Sequence, residues 1–287
     1  MILKTLVYIV CCIFTAAYMS LFERKLIGKI QKRYGPDQCG IAGVTQPIAD
    51  SLKLILKRNA IKNHSKLSIF IIWILLSASL FQLTLLPVIN ENKYALLLIA
   101  ISHSIILFSE TGLGLLSRSK YGIMGGIRCY FQNIANHLPF IISILVIAMY
   151  KKDFSLNMPV TDTMPIYVSI PFAVLFFIIF LISTNKLPFD FAESESELVA
   201  GCYTEYGGIM FAMIYLADYL NILFFALLIS YIFIGTSNIY LITLTSFVVI
   251  FLCIVIRATT FRSTQDNMTS LAWKIMMPLL IIILSFC

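Results

Sequence analysis

The chain has 287 residues, of which 60% are hydrophobic and only 12% are charged, and its mean hydropathy is +0.92. A soluble domain of this length needs far more polar surface, so the composition excludes a water-soluble globular protein. We attribute the formal net charge of +7 to membrane topology and anionic lipid, and the sequence gives no signal for nucleic-acid binding.

Eight apolar segments are each close to the length that a helix needs to cross about 30 Å of hydrocarbon, and they lack the alternation of barrel strands. They cover residues 2–22, 67–89, 94–117, 129–150, 165–184, 207–235, 238–256 and 270–287. The first segment has no small-residue cleavage site, so we expect it to be retained as a helix. The sequence therefore predicts an all-α integral membrane protein, with about eight transmembrane helices in a single membrane domain over residues 1–287.

Most of the 21 lysine and arginine residues fall in the connections that follow helices 1, 3, 5 and 7. The positive-inside rule places these connections in the cytoplasm or the mitochondrial matrix. Both chain termini are then expected on the opposite side of the membrane.

Residues 47–58, between the first two apolar segments, have an amphipathic pattern. Ile48, Leu52 and Ile55 share one face, whereas Lys53 and Lys57 lie on the other. The pattern predicts a helix that lies in the interface plane. Without further context, a basic surface helix that only touches lipid headgroups is the favoured explanation.

Residues 185–206 concentrate acid in an otherwise basic chain, with one lysine, Lys186. The five carboxylates are Asp190, Glu193, Glu195, Glu197 and Glu205. If the segment is helical after Pro188, Glu193 and Glu197 share a face. Desolvation and mutual repulsion raise carboxyl pKa values, which suits proton handling. A solvated loop that merely repels its neighbours is the alternative.

The seven cysteines and three histidines form no recognisable metal or haem pattern. There is no C-x-x-C pair, and the histidines lack the paired helical spacing of stacked haems. We therefore expect no metal site on this chain and assign any redox cofactor to partner proteins.

Two long motifs carry a resemblance to a known family. The first is ERKLIGKIQKRYGP at 23–36 followed by TQPIADSLKL at 45–54, and the second is NKLPFDFAESESELVAGCYTEYGG at 185–208. They resemble the first connecting segment and the loop between helices 5 and 6 of the NADH dehydrogenase subunit 1 family, the quinone-chamber membrane subunit of respiratory complex I. Weaker matches lie at 119–128 with Gln132, at Phe261-Arg262 and at Trp273-Lys274, so the resemblance covers essentially the whole chain.

The resemblance implies a passage by which ubiquinone, the substrate, leaves the bilayer to reach electrons delivered by flavin and iron–sulfur clusters on partner subunits. The passage residues that it implies are Arg24, Gln31, Arg33, Asp50, Lys53, Phe211 and Tyr215. The proton-path residues that it implies are Asp190, Glu193, Glu195, Glu197, Glu205 and Asp218. Implied partners are lipid and the other membrane-arm and quinone-module subunits. A packing contact of Asp218 to Asn221 or a tyrosine hydroxyl is the simpler alternative.

One departure from the family pattern concerns helix 4. Members usually carry Tyr-Glu where this chain reads Asn136-His137, and the order of residues after Phe261-Arg262 is also disturbed. Glu110 on helix 3 and His137 both lie roughly 12–14 Å below the same surface at 1.5 Å per residue. Because intramembrane ionisable groups usually pair, we expect Glu110 and His137 to meet and share the role of the missing glutamate. His103, deeper on helix 3, would extend that path.

Two other classes of function remain open at this stage. One is the homologous membrane subunit of a membrane-bound hydrogenase or formate-oxidising complex, and the other is a free-standing proton or cation transporter. The absence of an internal repeat or a broken helix pair disfavours the transporter. The phenylalanine- and isoleucine-rich composition favours an organelle-encoded chain in the mitochondrial inner membrane, with a bacterial plasma membrane as the alternative.

Overall fold

The computed structural model describes residues 2–57, 66–87, 92–156, 159–235 and 238–286. The helices are α1 Ile2–Ile30, α2 Gln46–Leu56, α3 Lys66–Thr84, α4 Ala95–Leu116, α5 Lys120–Lys151, α6 Ile166–Ser183, α7 Glu195–Leu198, α8 Gly208–Ile234, α9 Ile239–Thr259, α10 Gln265–Ser270 and α11 Met277–Ser285. A π-helical turn, Leu271–Met276, joins α10 to α11. Within these ranges eight helical spans are long and apolar enough to cross a membrane, which confirms the all-α membrane architecture.

The helices that extend furthest beyond their apolar segments are α1 and α5. The charges at 23–25 do not end α1, which continues to Ile30, because two of them find partners on neighbouring helices. Likewise α5 begins at Lys120 rather than near 129, with the Ser119 hydroxyl accepting a hydrogen bond from the Gly122 amide at 3.0 Å. The predicted helix ends at residue 58 and at 88–89 lie outside the described residues.

The helix bundle is packed around α8, which contacts α1, α2, α3, α6 and α9. Residues 219–226 of α8 are buried, and Phe224 and Phe225 are fully enclosed. Elsewhere α4 and α5 approach so closely that a Cβ on Gly114 would lie 2.5 Å from the Cα of Gly126. Small residues at such crossings let membrane helices pack by close van der Waals contact.

The acidic segment is a folded loop rather than a helix. Only α7 and a 3₁₀ turn at Gly201–Tyr203 are helical, and Ser194 has a positive φ of 27°. The loop turns back on itself, since the Cys202 amide donates to the Ala192 carbonyl at 3.1 Å. Glu193 and Glu197 therefore do not share a helix face. The segment is not one continuous helix, since α7 begins only at Glu195.

Candidate functional site

An ion pair joins the end of α1 to the amphipathic helix α2. The Arg24 guanidinium donates to Asp50 Oδ2 at 2.7 Å, and the Gln46 side-chain amide donates to Asp50 Oδ1 at 2.9 Å. Both members of the pair are partly exposed. The predicted passage residues Arg24 and Asp50 are thus in contact, whereas Lys53 lies one turn further along α2 and is exposed.

The loop after α1 forms a hollow that includes Arg24 of this pair. The hollow has a volume of about 310 Å³ and is lined by Arg24, Ile27, Arg33 and residues 34–36. The Arg33 Nε donates to Gln31 Oε1 at 2.7 Å. Four of the predicted passage residues, Arg24, Gln31, Arg33 and Asp50, therefore gather at one end of α1.

A larger apolar groove lies between α1, α2 and α8. Its volume is about 380 Å³, and its lining comes from all three helices: Ile13, Phe14, Ala17, Tyr18, Pro47, Ile48, Ser51, Ile55, Ile209, Ala212, Met213 and Leu216. Ser51 follows Asp50 in the chain, and Leu216 follows Tyr215. The groove is therefore adjacent in sequence to two of the passage residues, Asp50 and Tyr215.

A row of aromatic rings on α8 leads to a buried ion pair. Phe211 stacks on Tyr215, with ring centroids 5.5 Å apart, and Tyr215 meets Tyr219 edge-on at 5.1 Å. The Tyr219 hydroxyl donates to Glu23 Oε2 at 2.6 Å, and Glu23 also pairs with Arg257 of α9. Glu23 is only 6% exposed, whereas Arg257 is partly exposed, so the carboxylate is the buried member of the pair.

Lys186, which follows α6, holds a positive charge in the same region. Its ammonium lies 5.8 Å from the Tyr219 ring centroid and 6.0 Å from that of Tyr215. Burial alone would lower the pKa of Lys186, but the nearby carboxylates of Glu193 and Asp218 outweigh it, so the pKa is raised. Lys186 therefore stays cationic among several acids and two tyrosine rings.

Three arginines contact the acidic loop, two through their side chains and one through its backbone amide. Glu197 pairs with Arg128 of α5 and lies 3.4 Å from Arg262, which follows α9. The hydrogen bond from Arg128, with the charge of Arg262, holds the pKa of Glu197 below its usual value. At the other end of the loop, Glu205 Oε2 accepts a hydrogen bond from the Arg118 amide at 2.8 Å, just beyond α4.

Two further acids of the predicted proton path differ in their surroundings. Burial, followed by the charge of Glu193, raises the pKa of Asp190, and the Glu193 amide donates to Asp190 Oδ1 at 3.3 Å. Asp218 lies on α8 one residue before Tyr219. Among the described residues no hydrogen bond joins Asp218 to Asn221 or to a tyrosine hydroxyl. The side chain of Glu195 lies outside the described part of the chain.

The expected contact between Glu110 and His137 does not form. Glu110 is buried and its Oε2 accepts a hydrogen bond from the Asn185 side chain at 2.9 Å. His137 Nε2 instead lies 2.8 Å from the Ser104 hydroxyl. Equal depth does not produce contact here, because Glu110 faces the loop after α6 whereas His137 faces outward between α4 and α5. His103 is packed against Phe140 and Phe225, with ring centroids 4.3 and 5.4 Å away.

Comparison with known proteins decides the family. The family model described as NADH dehydrogenase matches residues 3–287. The chain belongs to the NADH dehydrogenase family. Similar relatives include an NADH-ubiquinone oxidoreductase chain 1 from Artemia franciscana, which is 33% identical over 97% of this chain and 95% of the relative. Another is a subunit of an NADH-quinone oxidoreductase from Syntrophotalea carbinolica, which is 30% identical over 92% of this chain and 88% of the relative.

Within this member of the NADH dehydrogenase family, sequence reasoning missed the buried cluster of Glu23, Lys186, Tyr219 and Arg257. These four residues line one small pocket. Glu23 sits between an apolar run and two basic residues, which is typical of a surface position. One sequence signal could have indicated this cluster. Glu23 and Arg257 carry opposite charges, and each lies in the C-terminal part of its own helix.

Proposed function

We propose that the chain is the membrane subunit of a proton-translocating NADH:quinone oxidoreductase, and that it forms the quinone access passage and couples quinone reduction to proton movement. Family membership and the names of the relatives support the oxidoreductase over a hydrogenase-type complex or a free-standing transporter. Electrons would arrive from flavin and iron–sulfur clusters on partner subunits.

The groove of about 380 Å³ between α1, α2 and α8 is the observation that carries the proposal. Its walls are aliphatic and aromatic side chains, which suit an isoprenoid tail. Two lining residues, Ser51 and Leu216, are the chain neighbours of Asp50 and Tyr215. In this proposal the tail enters from lipid through the groove, and the polar head moves towards the charged end of α1.

Quinone reduction takes up two electrons and two protons, so the residues around the head must tolerate a change of charge. The cluster of Glu23, Arg257, Lys186 and Asp218 offers fixed cations beside carboxylates. A proton moving onto one carboxylate changes the field at the others, because the cluster is shielded from bulk water. This electrostatic response is the coupling that we propose.

The proton path that we propose runs from the acidic loop into the bundle. It uses Asp190, Glu193, Glu195, Glu197 and Glu205 in the loop and Asp218 and Glu110 within the helices. The hydrogen bond between Asn185 and Glu110 supports this path, since it joins the loop after α6 to a buried carboxyl of α4. His137 has no contact with Glu110, so we leave it out of the path.

We place the protein in the mitochondrial inner membrane, with a bacterial plasma membrane as the alternative. In this orientation the connections after helices 1, 3, 5 and 7 face the matrix or cytoplasm. The ion pairs of the acidic loop with Arg128 and Arg262 are consistent with all of these charges lying on one side.

The substitution Ile48→Trp tests the groove. Ile48 lines it, so a tryptophan there competes with an isoprenoid tail for the same space, and we expect quinone reduction by the intact complex to fall about fivefold or more. The measurement is NADH oxidation with a long-tailed quinone in proteoliposomes. Reduction of a water-soluble artificial acceptor by the same preparation should stay unchanged.

Leu52→Trp is the matched control, because Leu52 lies on the same helix, is exposed and does not line the groove. We expect it to behave like the native chain. Equal quinone activity in the Ile48→Trp and Leu52→Trp complexes would reject the groove as the passage.

A further inference from the structure

Asn185 lies just beyond the end of α6 and reaches the buried acid of α4. Its side-chain Nδ2 donates to Glu110 Oε2 at 2.9 Å, and the two residues are 8% and 3% exposed. The other polar atom of the same amide, Oδ1, is buried and has no hydrogen-bond partner among the described residues. The Asn185 amide therefore has its donor in use and its acceptor free.

The backbone at Asn185 is left-handed, with a φ of 50°. Residues other than glycine rarely adopt this conformation, and asparagine is among those that tolerate it best. The backbone amide of Asn185 donates to the Ile182 carbonyl at 3.3 Å, which closes the turn after α6. At this turn Asn185 contacts α4, whereas the next residue, Lys186, lines the small pocket with Glu23. Glycine is the substitution that would keep this backbone while removing the amide.

Ionisable groups from three neighbouring elements surround Glu110. The charges of Asp218 on α8 and of Lys186 after α6 both act on its carboxyl, with opposite signs. Cys129 of α5 and Tyr203 of the acidic loop are further titratable groups close to it, and both are buried. A proton that arrives at Glu110 therefore changes the charge at a crowded, water-poor place.

A buried carboxyl group needs different partners in its two protonation states. The carboxylate needs hydrogen-bond donors, whereas the O–H of the neutral acid needs an acceptor. A buried group without its partner carries the full cost of desolvation. Lysine and arginine offer donors alone and favour the carboxylate, and a backbone carbonyl offers an acceptor alone and favours the acid. A side-chain amide offers both.

The Asn185 amide can serve Glu110 in both states. The carboxylate accepts from Nδ2, which is the contact that the structure shows. When Glu110 gains a proton, the new O–H can donate to Oδ1, the atom that has no other partner among the described residues. A half-turn about the Cβ–Cγ bond exchanges the amide oxygen and nitrogen, which are nearly equal in size, so the neighbours need not repack. Glu110 gains one proton, and no covalent bond of Asn185 changes.

We propose that Asn185 is a positioning residue that binds Glu110 in both of its protonation states, and that this lets Glu110 take up and release a proton inside the bundle. The proposal rests on the proposed function, in which Glu110 belongs to the proton path. It adds the residue that keeps either state of Glu110 from being strongly favoured.

Infrared difference spectra of the intact complex between acid and alkaline pH test the proposal. Each carboxyl group that takes up a proton contributes a carbonyl stretching band, and the band of Glu110 is the one lost in Glu110→Gln. In Asn185→Gly we expect this band to move to higher frequency, because the protonated carboxyl loses its hydrogen bonds to the amide. An unchanged band in Asn185→Gly, or a native spectrum in Glu110→Gln, would overturn the proposal.

Asn136→Ala is the matched control for Asn185→Gly. Asn136 is a buried amide of α5 that donates to the Ser183 hydroxyl at 2.6 Å, and no hydrogen bond among the described residues joins it to Glu110. Its removal loosens the same part of the bundle, but the Glu110 band should stay at its native frequency. An equal shift in both variants would contradict a specific role for Asn185.

The initial rate of proton uptake by sealed vesicles during NADH oxidation is a second readout. Loss of a hydrogen bond to an ionised group corresponds to a change of about tenfold or more, so we expect Asn185→Gly to lower this rate by about that factor. A native rate in Asn185→Gly would contradict the positioning role. Failure of the proton path is distinguishable, because it appears as native proton uptake in Glu110→Gln, whereas failure of the present proposal appears in the Asn185→Gly spectrum.

Discussion

Glu23 illustrates how one residue connects distant parts of the chain. It pairs with Arg257 and accepts a hydrogen bond from Tyr219, which are 234 and 196 positions away in sequence. Removing one member of a buried pair leaves an uncompensated charge and typically costs about 3–5 kcal/mol. The more exposed Arg24–Asp50 pair is of the kind that contributes about 1 kcal/mol or less. The adjacent residues Glu23 and Arg24 therefore differ greatly in their contribution to the free energy of unfolding.

Glu110→Gln tests the proton path at the level of a single residue. Glutamine keeps an oxygen that accepts from Asn185, so the packing is preserved, but it carries no exchangeable acidic proton. If Glu110 lies on the path, coupled proton translocation should fall by about a hundredfold, the lower end of what a positioned proton-transfer group contributes. The measurement is the initial rate of proton uptake by sealed vesicles during NADH oxidation.

Ser109→Ala serves as the comparison for Glu110→Gln. Ser109 is a buried neighbour whose hydroxyl donates to the Ile106 carbonyl within α4. Its removal should leave proton uptake near the native value. Native coupling in the Glu110→Gln complex would remove Glu110 from the path.

The folded conformation of the acidic loop is stabilised by the ion pairs of Glu197 with Arg128 and Arg262. Because Glu197 has a lowered pKa in the folded loop, its ionisation stabilises the folded form. That stabilisation is fully present above the ordinary value of 4.5 and is lost as the pH falls through the lowered value. Protection of the loop amides from hydrogen exchange should therefore decrease below about pH 4.5.

Glu197→Gln should reduce this protection already at neutral pH and abolish the acid-dependent change. The carboxylate is 53% exposed, so we expect a decrease of about fivefold or less in the protection factor. Asp37→Asn, at an exposed carboxylate 4.0 Å from Lys25, provides the matched control and should leave the loop unaffected. An acid-dependent change that persists in Glu197→Gln would assign the effect to another group.

At the scale of the whole molecule, the orientation in the membrane is open to a direct test. Thr163 and Thr260 are both exposed, and they lie in connections that we place on opposite sides. In sealed vesicles of the native complex with Thr260→Cys, a membrane-impermeant maleimide should react only from the basic side. With Thr163→Cys it should react only from the other side. The reverse pattern would invert the proposed topology.

The sequence predicts the membrane spans well because hydropathy is a local property of about 20 residues. The resemblance in motif assigns Arg24 and Asp50 to the same passage, but it does not indicate the ion pair between them. The bond between Asn185 and Glu110 spans 75 positions, and no local pattern indicates it. The position of His137 along its helix gives its depth in the membrane. The direction of its side chain depends on the rotation of α5 about its own axis relative to α4. Rotation is set by packing, for instance at Gly114 and Gly126, and a single sequence does not display it.

The adjacency of Glu23 and Arg24 on α1 has a mechanical consequence. Successive residues of a helix project about 100° apart, so one helix presents one side chain to α2 and the next to α8 and α9. A displacement of α1 relative to α2 would change the Arg24–Asp50 contact and, at the same time, the bonds of Glu23 with Tyr219 and Arg257. The backbone of α1 therefore links the partly exposed ion pair with α2 to the buried hydrogen bonds of Glu23.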